Sequence, residues 1–171
     1  MQWALAEPAA IDALVLVGAT PRFVTAPDWP HAMDPATLAR FGDELAVSYR
    51  LALQRFLSLQ LQGGDDAGRR TLATLRATLF ARGDPDRAAL AAGLEILRAT
   101  DLRDRVREIQ QPTLVIAGER DALAPAAASR WLAGAMPAAR LAVISGAGHV
   151  SFLSHPDAFA GALAEFEHAA A

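Results

Sequence analysis

Cysteine is absent from the 171 residues, which excludes disulfides, thiolate nucleophiles and thiolate-bound zinc. Lysine is absent too: all 16 basic residues are arginine, against 19 acidic ones, for a net charge of −3. The overall basic excess that a nucleic-acid partner demands is therefore missing. No apolar run reaches the roughly 20 residues that cross a bilayer, and Met1-Gln2-Trp3-Ala4 lacks the charged start and apolar middle of a signal peptide. No histidine and carboxylate set has metal-ligand spacing. The one Gly-rich turn after a strand, Gly146-Ala147-Gly148, leads to His149 and not to a phosphate-binding fingerprint. These absences point to a soluble, cytoplasmic chain with no metal, cofactor, membrane or nucleic-acid role. What is present, 53% hydrophobic and 20% charged residues, suffices for one domain with a core.

Three segments read as buried strands: Ile11 to Gly18, Pro112 to Gly118, and Arg140 to Ile144. Apolar on both faces, and in the first two cases closed by Gly, they suit a parallel sheet covered by helices. The spacing predicts helices over Pro125 to Ala135 and Pro156 to Ala169, the latter with Phe159, Leu163 and Phe166 on one stripe. The tail thus alternates strand and helix, as in a doubly wound sheet. From Pro35 to about Ala99 there is only helical periodicity. Gly63-Gly64-Asp65-Asp66 breaks it, with Asp66 expected as an N-cap. Gly83-Asp84-Pro85 breaks it again, with Pro85 expected in the first turn of the next helix. In an α/β enzyme, such an all-helical insertion between two strands of one sheet is expected to form a lid over their carboxyl ends.

In an open parallel sheet, ligands bind outside those ends. Past the second strand stand Gly118-Glu119-Arg120-Asp121, and past the third Ser145-Gly146-Ala147-Gly148-His149. Neighbouring strands lie about 4.8 Å apart, so Asp121 and His149 come within reach of each other. Taken singly, a loop Asp is a common cap and a lone His is commonly structural. Jointly they make two-thirds of a nucleophilic triad, an acid that orients a histidine acting as general base. His31, His155 and His168 read as surface or turn residues.

Gly118-Glu119-Arg120-Asp121 with Ala124-Pro125, and Gly146-Ala147-Gly148-His149, resemble the acid and histidine motifs of α/β-hydrolases. Ala19-Thr20-Pro21-Arg22-Phe23, Asp28-Trp29-Pro30, Arg55 to Gln60, Gly93 to Leu97 and Thr100 to Arg103 narrow the resemblance. Over essentially the whole chain, these phrases resemble the carboxylesterases that act on pimeloyl-acyl-carrier-protein methyl esters in biotin synthesis. The resemblance implies the C-terminal part of an α/β-hydrolase fold, three parallel strands flanked by helices, with an all-helical lid insertion. Residues 1–34 would form the first strand and its connecting loop, 35–108 the lid, and 109–171 the core with the acid and histidine. Asp121 would be the triad acid and His149 the general base. Phe56, Leu57, Ser58, Leu59 and Gln60 would line the acyl pocket, with Leu123 beside the triad. From spacing alone, plain helix packing is the favoured reading for Phe56 and Leu57.

The lid also carries charge. From Ser48 to Arg82, six arginines stand against two acids, a local excess suited to steering an acidic acyl carrier protein. Arg55 matches the family's lid arginines directly, and Arg50, Arg69 and Arg70 match after small shifts. A solvated helix face accounts for any one of them equally. No Gly-x-Ser-x-Gly elbow occurs in the sequence, although a serine hydrolase of this class requires one. Met1 to Pro8 resembles the latter part of the helix that follows the elbow in this family, so the chain is expected to begin a few residues past the nucleophile and to be inactive alone. Its first strand is expected to expose an open edge and to promote self-association. Two other readings stay open: a different lidded esterase, and a non-catalytic fragment that binds acyl carrier protein.

Overall fold

The computed structural model describes residues 1–60, 66–81 and 83–170, except the side chains of Leu59, residues 66–69, Thr71 and Ala170. Three strands, β1 (Leu14–Val17), β2 (Thr113–Gly118) and β3 (Ala139–Ile144), pair in parallel in the order β1-β2-β3. All six residues of the central β2 are buried. Its alternating side chains feed two apolar layers. Val115 packs with Leu132 and Met136 of the α5 segment (helix Ala126–Ala135, with Met136 just past its end), whereas Leu114 and Ile116 pack with Phe166 of α7 (Pro156–Ala170). Helices on both faces are what a doubly buried parallel strand requires. Short helices α1 (Gln2–Ala6) and α6 (Ser151–Ser154) precede β1 and α7. β1 is shorter than the expected Ile11–Gly18 strand at both ends: residues 11–13 precede the ladder, and Gly18 turns at φ +54° after it.

Three helices stand between β1 and β2: α2 (Pro35–Gln60), α3 (Asp66–Thr78) and α4 (Arg87–Ala99). Asp34 starts α2 by accepting the Thr37 backbone N–H at 2.9 Å, with Pro35 in the first turn. The 26-residue α2 breaks at Ser48 (φ −145°, ψ 65°), a kink that no Pro or Gly marks. The sequence break at residues 63–65 lies outside the described residues. The expected capping role of Asp66 falls on a side chain that is not described, and α3 includes Asp66 as its first residue. The expectation for Pro85 is corrected: Asp86 caps α4, accepting the Ala89 N–H at 2.8 Å, and Pro85 lies outside the helix. An aspartate satisfies an orphan helix donor that proline leaves unmet.

The lid is tied back to the core where it ends. Arg22, in the loop after β1, meets Asp101 at 2.6 Å, and Arg103 meets both Asp101 (2.8 Å) and Asp28 (2.9 Å). The Leu102 N–H donates to the Pro21 carbonyl at 2.9 Å. Beneath the cluster lies Trp29, 1% exposed, whose ring the Arg103 guanidinium covers. The Arg103 hydrogen bond, joined by that from Arg22, holds the Asp101 carboxyl well below the usual range. Its contribution is therefore whole at neutral pH and declines as the pH falls below the unfolded value of about 3.9. We expect Asp101→Asn to cost about 1–3 kcal/mol at pH 7, and the gap from the parent chain to narrow at pH 3. Urea unfolding at the two pH values measures both effects.

Candidate active site

The parallel register sets Gly118 opposite Ile144, so the loops leaving β2 and β3 rise side by side. Nothing larger than glycine fits at position 118. A Cβ there would stand 2.1 Å from the Gly148 carbonyl oxygen and 2.5 Å from that of Ala147. This close backbone approach brings Asp121 Oδ2 to 2.8 Å from His149 Nδ1. The Asp121 side chain is wholly buried. Its other oxygen accepts the backbone N–H groups of Leu123 (2.8 Å) and Ala124 (2.9 Å). A carboxylate only accepts, so its contact assigns a proton to Nδ1 and, in the neutral ring, the lone pair to Nε2. An imidazole so held can take a proton at Nε2 from a nucleophile.

His149 is partly exposed and lines a cavity of about 500 Å3 between the sheet ends and the lid. The wall comes from stretches far apart in the chain: Met1 and Gln2 at its start, Gly18 and Phe23 after β1, Phe56 on α2, Leu97 on α4, and Leu123 after β2. The lid also touches the histidine loop directly, where the His149 backbone N–H donates to the Gln60 carbonyl at 2.9 Å.

Of the residues expected at the acyl pocket, the structure brings Phe56 and Leu123 to this cavity. The expectation of a continuous lining from 56 to 60 needs correction. Successive helix residues turn by roughly 100°, so such a run cannot share one face. Leu57 points into the core and is 9% exposed. Ser58 faces α3, bonded to the Gln54 carbonyl (3.0 Å) and to Arg76 Nη2 (2.8 Å). Gln60 meets the histidine loop with its backbone, and the Leu59 side chain lies outside the described residues. Sequence reasoning does not single out Phe23, Ile96 and Leu97 as wall residues, although all three stand in phrases that carry the family resemblance. Periodicity marks them as apolar without saying which surface they meet.

The lid arginines are less free than the count from 48 to 82 suggests, because their partners lie outside that window. Arg50 pairs with Asp84 and covers the Phe80 ring, and Arg55 pairs with Glu44 at 3.2 Å, across the α2 kink. Arg70 is exposed, and the Arg69 side chain lies outside the described residues. Among the described residues, no cluster of three or more His, Asp or Glu is placed to hold a metal ion. No described helix is long and apolar enough to cross a membrane.

A parallel sheet with an acid and a histidine on adjacent strand tips beneath a helical cover defines a class. A family model of the alpha/beta hydrolase fold matches residues 1–156, and the chain belongs to that family. Within it, the chain is 40% identical to the pimeloyl-[acyl-carrier protein] methyl ester esterase of Nitrosospira multiformis, over 97% of this chain and 63% of that protein. It is 45% identical to the enzyme of the same name from Xanthomonas campestris pv. campestris, over 91% of this chain and 61% of that one. The chain thus spans about three-fifths of the length of these relatives. Among solved structures, a bromoperoxidase from Bacillus anthracis superposes with a TM-score of 0.77 at 26% identity, covering 92% of this chain and 58% of its own.

The closeness of Gly118 to the histidine loop yields a direct expectation. Gly118→Ala should destabilise the chain by about 1–3 kcal/mol, as overpacking does, and should disturb the Asp121–His149 bond. The imidazole nitrogen signals of His149, read by NMR, and the thermal midpoint report the two effects.

Proposed function

We propose that the chain is the acid, base and lid portion of a carboxylic ester hydrolase. Its substrate is the methyl ester of a pimeloyl group on acyl carrier protein, the compound class in its relatives' names, used in biotin synthesis. The observation that carries this reading is the 2.8 Å contact between the buried Asp121 carboxylate and His149 at the edge of a largely apolar cavity.

In the reaction, His149 Nε2 takes the proton of a serine hydroxyl as the serine oxygen attacks the ester carbonyl. The C–O bond to the methoxy group then breaks, and that oxygen leaves as methanol with the proton from His149. Water, deprotonated in turn by His149, attacks the acyl-serine; the bond to the serine oxygen breaks, that oxygen takes the proton back from His149, and the free acid leaves. Asp121 holds the Nδ1 proton throughout and stabilises the imidazolium as it forms. Phe56, Leu123, Phe23 and Leu97 enclose the acyl chain. Arg50, Arg55, Arg69 and Arg70 orient the acidic carrier on the lid.

The sequence contains no Gly-x-Ser-x-Gly, so the chain by itself is expected to be inactive and to escape labelling by a serine-directed fluorophosphonate. Specific labelling would contradict that assignment. Paired with a segment bearing the serine elbow, it is expected to hydrolyse the carrier-linked ester. Asp121→Asn should then lower kcat about 10⁴-fold, and equal rates for the parent and this variant would refute the roles of Asp121 and His149 as acid and base. Arg55→Glu should weaken binding of the acidic carrier without changing hydrolysis of a small free ester. Carrier affinity that the charge reversal leaves intact would count against the basic lid as the carrier's docking face, and equal hydrolysis of carrier-linked and simple esters would favour a different lidded esterase. The outer edge of β1, where Val15 is 42% exposed, is expected to promote self-association. A single monomeric species in sedimentation at micromolar concentration would rule that out.

A further inference from the structure

Three consecutive residues of the β2 loop each take hold of the histidine loop. Glu119 Oε2 accepts the Gly146 backbone N–H at 2.8 Å and the Ser145 hydroxyl at 3.0 Å. The Arg120 backbone N–H donates to the Ala147 carbonyl at 2.9 Å. Asp121 then meets His149. Only the third of these contacts belongs to the acid–base pair itself.

The segment they hold has little stiffness of its own. Gly146 sits at φ +73°, and with Ala147 and Gly148 it makes a stretch with many accessible backbone states. What places the imidazole must therefore come from outside that stretch. Glu119 is itself anchored, its backbone N–H donating to the Ile144 carbonyl at 3.0 Å, so its carboxylate works from a fixed base. The Gly146 N–H, joined by the Ser145 hydroxyl, holds that carboxyl below its usual range. Bonds from neutral donors to a charged carboxylate are the stronger kind.

We propose that Glu119 is a positioning residue for His149, its carboxylate pinning the Ser145–Gly146 turn so that the imidazole reaches Asp121 and keeps its place at the cavity. The proposal rests on His149 as the proton carrier, but its test reads the imidazole and not hydrolysis, so the two readings fail separately.

The test uses the chain with ¹⁵N-labelled histidine, following the His149 Nδ1 proton and both ring nitrogens by NMR. In Glu119→Ala, Nδ1–H exchange is expected to quicken by about tenfold or more, the scale of one lost charge-assisted hydrogen bond. The nitrogen shifts should move toward a mixture of tautomers. Glu119→Gln keeps an acceptor oxygen and is expected to restore the parent signals. A folded Glu119→Ala chain whose His149 signals match the parent would overturn the proposal, since a merely local turn contact would lower stability alone. Failure of Glu119→Gln to restore the signals would count equally against it. Should Glu119→Ala not fold, Ser145→Ala removes one of the two bonds. Intermediate His149 signals would then support the proposal, and parent-like signals in that folded variant would overturn it.

Discussion

A carboxylate with no exposed surface is tolerated in a protein only when its oxygens are fully engaged. Asp121 meets that demand with two backbone N–H groups on one oxygen and the imidazole of His149 on the other. Much of the core serves this arrangement. β2 and β3 must be adjacent and parallel for the two loops to leave from the same edge. Gly118 must lack a side chain for the histidine loop to close down on it. The backbone turn from Asp121 to Ala124 must supply its own donors. The pair is thus a folding constraint, since Asp121 without His149 leaves a buried carboxylate oxygen unmet.

The lid is joined to the same point from above. Its first helix ends with the Gln60 carbonyl on the His149 N–H, and four residues earlier it places Phe56 in the cavity wall. Its exit is held by Arg22, Asp101 and Arg103 over Trp29, a cluster that also fixes the loop carrying Phe23. The cavity is therefore bounded by segments that are each anchored elsewhere. The Glu44–Arg55 pair bridges the kink at Ser48.

How much of this is legible in the sequence differs by element. The three strands and the helices around β3 are readable because continuous apolar runs and a regular apolar stripe are local properties. Asp121 and His149 are readable because each stands just past a strand end, where ligands gather in such sheets. The kink in α2 leaves no clear mark, since no Pro or Gly adjoins Ser48. The ion pairs of Arg50 and Arg55 are equally hidden. A charge count over one stretch does not see Glu44 or Asp84 folding back onto it.

The sequence by itself determined the class of sheet, the presence of a helical cover and the strand-end placement of Asp121 and His149, because hydrophobic period and strand-end position are written residue by residue. Only the tertiary structure decided which side chains wall the cavity, which arginines are already paired, and that three successive residues of one loop grip the other. Those outcomes depend on contacts between stretches that are not neighbours in the chain. Such contacts arise from packing whole elements against one another, and no local pattern encodes them.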